Sequence, residues 1–405
     1  MRRTIRGENQ TVRPLDGIRV VDLTSSLAGP TCTQVLVALG ADVVKVERPG
    51  AGDEARDWGP PMFPGGSAMF FAANAGKRSL VLDLKAPEGR EALLRLADRA
   101  DVVVASLRPG AAGRLGLDAA TLRARNPRLV HCTLGAYGRG PLGDLAGYDP
   151  LMQAFSGILS VTGERESAGV RVGVSLVDYG AGAWAALAIL AALKQRDETG
   201  EGATVELSLL ETALSLVGYH LTRFLHDGSV PGRHGTAFPL IAPYEVFATS
   251  DGALMIAAAN DRLFRSLCAA LQQPSLADDP RFATNPLRLE HRDELIDALA
   301  ALIAGRETEG LLAELHTRGV PAAPVQDVAE VARHRQVEAL GILEQLDGGA
   351  TVGVPFALDG ERPGYGARAP LLGEHSEEIL REAGYSDAEV AALVAAGVTG
   401  NGPAR

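Results

Sequence analysis

Short apolar runs rich in Val, Ile and Leu alternate with helix-length stretches through the first 135 residues. Ile18-Arg-Val-Val-Asp-Leu23 predicts a strand, residues 30–39 carry helical spacing, and Gly40 offers a C-terminal cap. A strand at 42–46 follows. The scheme repeats with Ser79-Leu-Val-Leu-Asp-Leu84, a helix over 86–100 with Pro87 in its first turn, and a strand at 101–105. Arg128-Leu-Val-His-Cys-Thr-Leu134 adds another strand. Strands and helices alternating at these lengths predict an α/β fold, with a mostly parallel sheet covered on both faces.

The pattern changes after residue 135. Residues 150–159 and 178–194 read as helices, the second apolar on nearly every face and therefore a core element. A strand from Thr204 leads into a helix over 209–225, and His226-Asp-Gly-Ser breaks it. Tyr244-Glu-Val-Phe-Ala-Thr, Ser250-Asp-Gly and Ala253-Leu-Met-Ile-Ala have the chemistry of a hairpin, with helices expected at 262–271, 292–304 and 307–318. These signals divide the chain into a large domain over 1–195, completed by 345–405, and a smaller α+β domain over 225–331. Residues 196–224 and 332–344 read as linkers. Pro355, Pro363 and Pro370 make the tail, which ends in an acidic helix at 376–383, a wrapping segment rather than a third core.

Composition narrows the function. The 405 residues are 46% hydrophobic, enough for a large core, and 50 acidic against 39 basic residues give a formal charge of -11. That charge argues against nucleic-acid or anionic-membrane partners, so an anionic ligand needs a local arrangement of groups. Cys32, Cys132 and Cys268 are too scattered for a disulfide framework or a zinc site and suit a reducing cytoplasm. The N-terminal stretch 1–13 is polar, and the Ala-rich run 181–193 is shorter than a membrane span.

Common catalytic signatures are missing. The turn after the first strand, Thr24-Ser-Ser-Leu-Ala-Gly-Pro30, has neither G-x-G-x-x-G nor a Walker A loop, and no G-x-S-x-G elbow or metal-ligand spacing of histidines occurs. Gly135-Ala-Tyr-Gly-Arg-Gly140 is either a phosphate-approaching loop or a flexible turn. Three basic clusters follow strands or precede them: Lys45-Val-Glu-Arg-Pro-Gly50, Lys77-Arg78-Ser79, and Leu107-Arg-Pro-Gly110 with Arg114-Leu-Gly116. Each alone reads as solvated surface charge; together, on an acidic chain, they point to an anion site at the sheet edge.

Ala28-Gly-Pro30, Leu39-Gly-Ala-Asp-Val-Val-Lys-Val-Glu-Arg-Pro-Gly50, Asn74 with Lys77-Arg-Ser79, Arg108-Pro-Gly110 and Thr199-Gly-Glu-Gly202 stand in a characteristic order. In that order and spacing the chain resembles the family III CoA-transferases, a group that includes formyl-CoA transferase, carnitine CoA-transferase and the divergent α-methylacyl-CoA racemase. The resemblance runs from Pro14 to His375. It implies a Rossmann-like large domain, an interlaced homodimer, and transfer of CoA from an acyl-CoA to a small carboxylic acid, with CoA as substrate and no prosthetic group or metal.

The resemblance further implies a catalytic aspartate at a helix start, which Val177-Asp178-Tyr-Gly-Ala-Gly182 matches. Such an aspartate also serves as a plain N-cap, and the helix end would keep its carboxylate ionised for nucleophilic attack. By position the implied CoA contacts are Leu27, Ala28, Arg48, Leu82, Lys85, Ser106, Leu107, Arg108 and Arg114, with Tyr148 lining the CoA or acyl pocket or else buried in the core. Arginine suits the phosphates because it binds them with paired hydrogen bonds. There are departures: Ser106 and Leu107 stand where relatives often carry Asn and Phe, and no run of glycines occurs between Gly235 and Asp261, which removes the loop associated with formyl or oxalyl specificity. Two rivals remain, an acyl-CoA racemase and a non-catalytic CoA-binding protein. Gly147-Tyr148-Asp149-Pro150 argues against the racemase, whose branch has His where Tyr148 stands; Asp149 reads as an N-cap before Pro150.

Overall fold

The computed structural model describes residues 13–108 and 110–400; the polar stretch 1–12 lies outside them. Six strands form one parallel sheet: β1 (Arg19–Leu23), β2 (Asp42–Glu47), β3 (Arg78–Val81), β4 (Val102–Ala105), β5 (Val130–Gly135) and β6 (Thr204–Ser208). Their order is β3-β2-β1-β4-β5-β6. The chain winds outward from β1 in one direction and then from β4 in the other, so the fold is Rossmann-like and the β1/β4 boundary is its switch point.

The principal helices of this unit are α1 (Ala28–Ala38), α2 (Pro87–Ala97), α3 (Ala119–Arg125), α4 (Asp149–Phe155), α5 (Leu176–Thr199) and α6 (Leu209–Leu216). Val21, Leu23, Val103 and Ala105 share a core with Leu93 and Ala97 of α2 and Leu122 of α3. Alternate strand residues point the other way, where Asp22 meets Thr33 of α1. The chain divides into two compact units, residues 1–157, 172–223 and 336–405, and residues 158–171 and 224–335. Residues 196–224, expected as a linker, instead supply the sixth strand: Thr133 of β5 pairs with Glu206 of β6.

α5 is longer than the expected 178–194: the apolar Leu176 and Val177 extend its start, and the polar turn from Gln195 to Thr199 extends its end. Its 24 residues, with mean hydropathy 1.7 over an 18-residue window, are long and apolar enough to cross a membrane by length and composition alone. Val177, Ala181, Ala185, Ile189 and Leu193 are nevertheless buried inside the unit. Gly182 permits the close approach of α1, since a Cβ there would lie 2.8 Å from the Ala28 carbonyl oxygen.

The last part of the wrapping tail closes the free edge of its own sheet. Ser79 of β3 accepts from His375 N (3.0 Å), Val81 N donates to Ser376 Oγ (3.1 Å), and Thr399 Oγ1 donates to Val81 O (2.7 Å). An open strand edge would otherwise invite pairing with another chain. Ile379, Leu380, Val390 and Leu393 complete the core on that side.

The smaller unit carries an antiparallel sheet of β7 (Tyr244–Ala248), β8 (Ala253–Ala257) and β9 (Ala322–Pro324), in the order β9-β8-β7. β7 and β8 are the expected hairpin. Helices Asp261–Ala270, Arg292–Ile303 and Thr308–Thr317 pack a core of Phe264, Leu267, Leu295, Leu299 and Leu311 against it.

Candidate active site

Asp22, in the middle of an otherwise apolar strand, is fully buried and must be compensated. Its carboxylate accepts from Lys77 Nζ (3.1 Å), Thr33 Oγ1 (2.6 Å) and Thr24 N (2.9 Å). Burial pushes this carboxyl up, but Lys77, Lys45 and the two threonine hydroxyls outweigh it and hold it at about 2. Lys45, also fully buried, donates to Thr24 O (2.9 Å) and pairs with Asp53 (2.7 Å). Asp53 in turn accepts from Ser26 N (3.0 Å). The turn after β1 is thus tied down by buried charge from three directions. Ser26 sits in the left-handed region at φ 68°, and its hydroxyl donates to Glu54 (2.7 Å).

This network corrects the expected anion site. Lys45 and Lys77 are neutralised internally, and Arg78 pairs with Asp42, Glu378 and Glu382. Lys45 of the first cluster, together with Lys77 and Arg78 of the second, therefore holds the protein together. Arg48, Arg108 and Arg114 are exposed, Arg48 donating through Nε to Gly52 O (2.9 Å). In the glycine loop 135–140, Gly138 lies against Ser208, and the exposed Arg139 pairs with Glu206 at the surface.

The residues singled out from sequence follow the C-terminal ends of the parallel strands. Leu27 and Ala28 are buried at the start of α1, and Ser106 Oγ accepts from Ser25 N (3.3 Å) across the switch point. Leu107 packs partly against the core. Leu82 is a core residue whose side chain is shut away from solvent, and Lys85 is exposed. Tyr148 is half-exposed rather than buried in the core, and its hydroxyl donates to Glu54 (3.3 Å). Glu54 beside it, helped by partial burial, pushes this phenol above its ordinary range.

Asp178 is the third residue of α5, and Ser175 occupies the N-cap position without a side-chain hydrogen bond. The cap comes from elsewhere. Asp149 accepts through Oδ2 from Val177 N (2.7 Å) and Asp178 N (3.3 Å), and through Oδ1 from Gln153 Nε2 (2.5 Å). Gln153 Oε1 then accepts from Val172 N (2.9 Å), so a buried chain of polar groups fixes the approach to α5. Asp149 is not the N-cap of its own helix, a position that falls to Tyr148. The expectation that the helix end keeps Asp178 ionised fails for the same reason: its amides already serve another carboxylate. Burial, with the Asp149 charge added, raises Asp178 to about 7. In the sequence Asp149 was read only as a cap of its own helix, and Gln153 and Glu54 were missed; the i, i+4 spacing of Asp149 and Gln153 was the one signal available.

Fold and site define an open-sheet α/β enzyme, with a half-buried, proton-binding carboxyl group at a helix start and exposed arginines after the strand ends. Residues 15–376 match the model of CoA-transferase family III. The chain is 39% identical, over 91% of its length and 95% of the relative's, to a succinate–glutarate CoA-transferase of Agrobacterium fabrum. An acetyl-CoA:oxalate CoA-transferase of Acetobacter aceti is 37% identical over 91% and 95%. A solved CaiB/BaiF family protein of Brucella suis superposes with a TM-score of 0.85 at 38% identity, covering 92% of this chain and all of that one. The chain belongs to the family III CoA-transferases.

Proposed function

We propose that this enzyme moves CoA from an acyl-CoA donor to a small dicarboxylic acid, with Asp178 as nucleophile. The observation that carries the reading is the Asp178 carboxyl itself, half-buried in the first turn of α5 and titrating near neutrality. Its Oδ attacks the donor thioester and expels CoA thiolate, leaving an acyl-aspartyl anhydride. The thiolate attacks the aspartyl carbonyl, giving the aspartyl-CoA thioester and the free donor acid. The acceptor carboxylate then reverses the sequence. Each step exchanges one activated acyl group for another and calls for no prosthetic group.

Arg48, Arg108 and Arg114 are assigned to the CoA phosphates and Lys85 to the same anionic end, because these cations stand exposed after the strand ends. Leu27, Ala28, Ser106, Leu107 and Tyr148 line the path from there, and Leu82 contributes through its backbone. The dicarboxylate class follows from the succinate, glutarate and oxalate named for the two relatives. A homodimer is assigned because Trp184, Leu187, Leu216 and Tyr219 leave large apolar side chains half-exposed. Three buried, unpaired thiols suit a reducing cytoplasm. Tyr148, with its phenol raised by Glu54, makes a poor base, which weighs against the racemase.

Asp178→Asn keeps the shape and removes the nucleophile. Transfer should fall by roughly a thousandfold or more while CoA still binds. Hydroxylamine or borohydride added during turnover should modify this side chain in the parent. Near-normal transfer by the Asn variant sinks the covalent mechanism. In deuterium oxide, uptake of α-deuterium by a chiral 2-methylacyl-CoA without thioester exchange would reassign the enzyme as a racemase. Arg48→Ala should weaken CoA about tenfold or more, as loss of a charge-assisted contact does; unchanged affinity removes it from the site. Sedimentation as a monomer at micromolar concentration would dismiss the dimer.

A further inference from the structure

The Asp149 carboxylate is buried, yet among the described residues it belongs to no ion pair; its partners there are two α5 amides and Gln153. A capping group could be a serine, threonine or asparagine, none of which would place a charge beside Asp178. A carboxylate shares its first effect with those residues and adds a second that they cannot supply, a charge. It occupies the amides at the second and third positions of α5, which would otherwise stabilise the Asp178 anion, and it sets a like charge next to that anion. The titratable groups facing Asp178 are Asp149 from α4 and Tyr179 from its own helix; no cation contributes to its shift.

We propose that Asp149 is the positioning residue that makes Asp178 a reactive nucleophile, by destabilising its anion relative to its acylated forms. The proposal rests on the reading of Asp178 as nucleophile. When an Asp178 Oδ forms its bond to the thioester carbon, the C–S bond breaks and the electron pair leaves with sulfur. The negative charge moves from Asp178 to the CoA thiolate, away from Asp149. Both the anhydride and the aspartyl-CoA thioester are uncharged at Asp178, so repulsion present in the resting enzyme is relieved in each covalent state. Gln153 acts one step further back, orienting Asp149 and, through Val172 N, the segment that enters α5.

The test is the pH profile of kcat for the full-length enzyme with succinyl-CoA and glutarate. The parent should lose activity as pH falls through about 7, because Asp178 must be ionised to attack. Asp149→Asn retains an oxygen for the α5 amides and removes the charge. Its acid limb should move down by at least one pH unit, its kcat above pH 8 should drop up to about a hundredfold, and KM for succinyl-CoA should change less than about threefold. A merely structural cap would leave the limb in place. Gln153→Leu, which keeps the charge, should lower kcat without moving the limb. If Asp149→Asn fails to fold, Asp149→Glu is read instead: the limb should stay near 7 with reduced kcat, and a limb displaced to the ordinary carboxylate range overturns the proposal. An unmoved limb in a folded Asp149→Asn enzyme also overturns it. The two readings fail separately: activity of Asp178→Asn removes the nucleophile, whereas an inactive Asp178→Asn beside an unmoved Asp149→Asn limb removes only this inference.

Discussion

Asp178 binds a proton more tightly in the native protein than an ordinary aspartate does, and that sets the sign of its effect on stability. Its native value of about 7 stands above the ordinary 3.8, so between those values the folded chain holds more protons than the unfolded one. Stability therefore falls as pH rises from about 4 to 7, and the loss is complete above 7. Asp178→Asn should stabilise the fold at pH 8 by on the order of 1 kcal/mol after allowance for its partial exposure, with a higher Tm, and should change little at pH 4. Calorimetry at the two pH values checks this; equal shifts at both refute it. Asp22 behaves oppositely. Held at about 2, it contributes stability that is present above the ordinary carboxylate range and lost as pH falls through about 2. Lys77→Met leaves that carboxylate without its cation and should destabilise by about 3–5 kcal/mol, measurable by urea unfolding.

At the level of elements, α1 and α5 are placed by small residues. A Cβ at position 182 would meet Ala28 O at 2.8 Å and Thr31 Cβ at 2.8 Å, backbone and a stiff side chain that cannot yield. Gly182→Ala should push α5 away from α1, destabilise by about 1–3 kcal/mol, and lower kcat because Asp178 moves with its helix. A variant with parent Tm and kcat would show that the helices have slack. The strands of the large sheet were legible because both faces are buried and the apolar runs are nearly continuous, as Val102-Val-Val-Ala105 illustrates. β6 was half-read: a strand from Thr204 was expected, but in a linker. Its burial alternates because it lies at the sheet's edge, and edge position is not a local property.

For the whole molecule, the informative segment is the C-terminal one. Residues 373–399 hydrogen-bond to β3 and add Ile379, Leu380, Val390, Leu393 and Val398 to the core of the parallel sheet. A chain ended after residue 370 loses all of these and exposes the β3 edge. It should be insoluble or lack a cooperative thermal transition by circular dichroism, and a sharp transition near the parent Tm would contradict this. The prolines predicted a wrapping segment; which edge its last part covers is decided only by the folded chain.

Sequence alone determined the alternation of strand and helix, the hairpin of the smaller unit, and a set of motifs whose order identifies the family, because these are local patterns read over a few residues at a time. It also placed Asp178 near a helix start. The tertiary structure decided which charges are free. Lys45, Lys77 and Arg78 look like ligand-binding cations in the chain and are spent on Asp53, Asp22 and Asp42, partners 8, 55 and 36 residues away. The environment of Asp178 was decided in the same way, by Asp149 at a separation of 29 residues. The electrostatic state of a group depends on distances in space, and those distances exist only once the chain has folded.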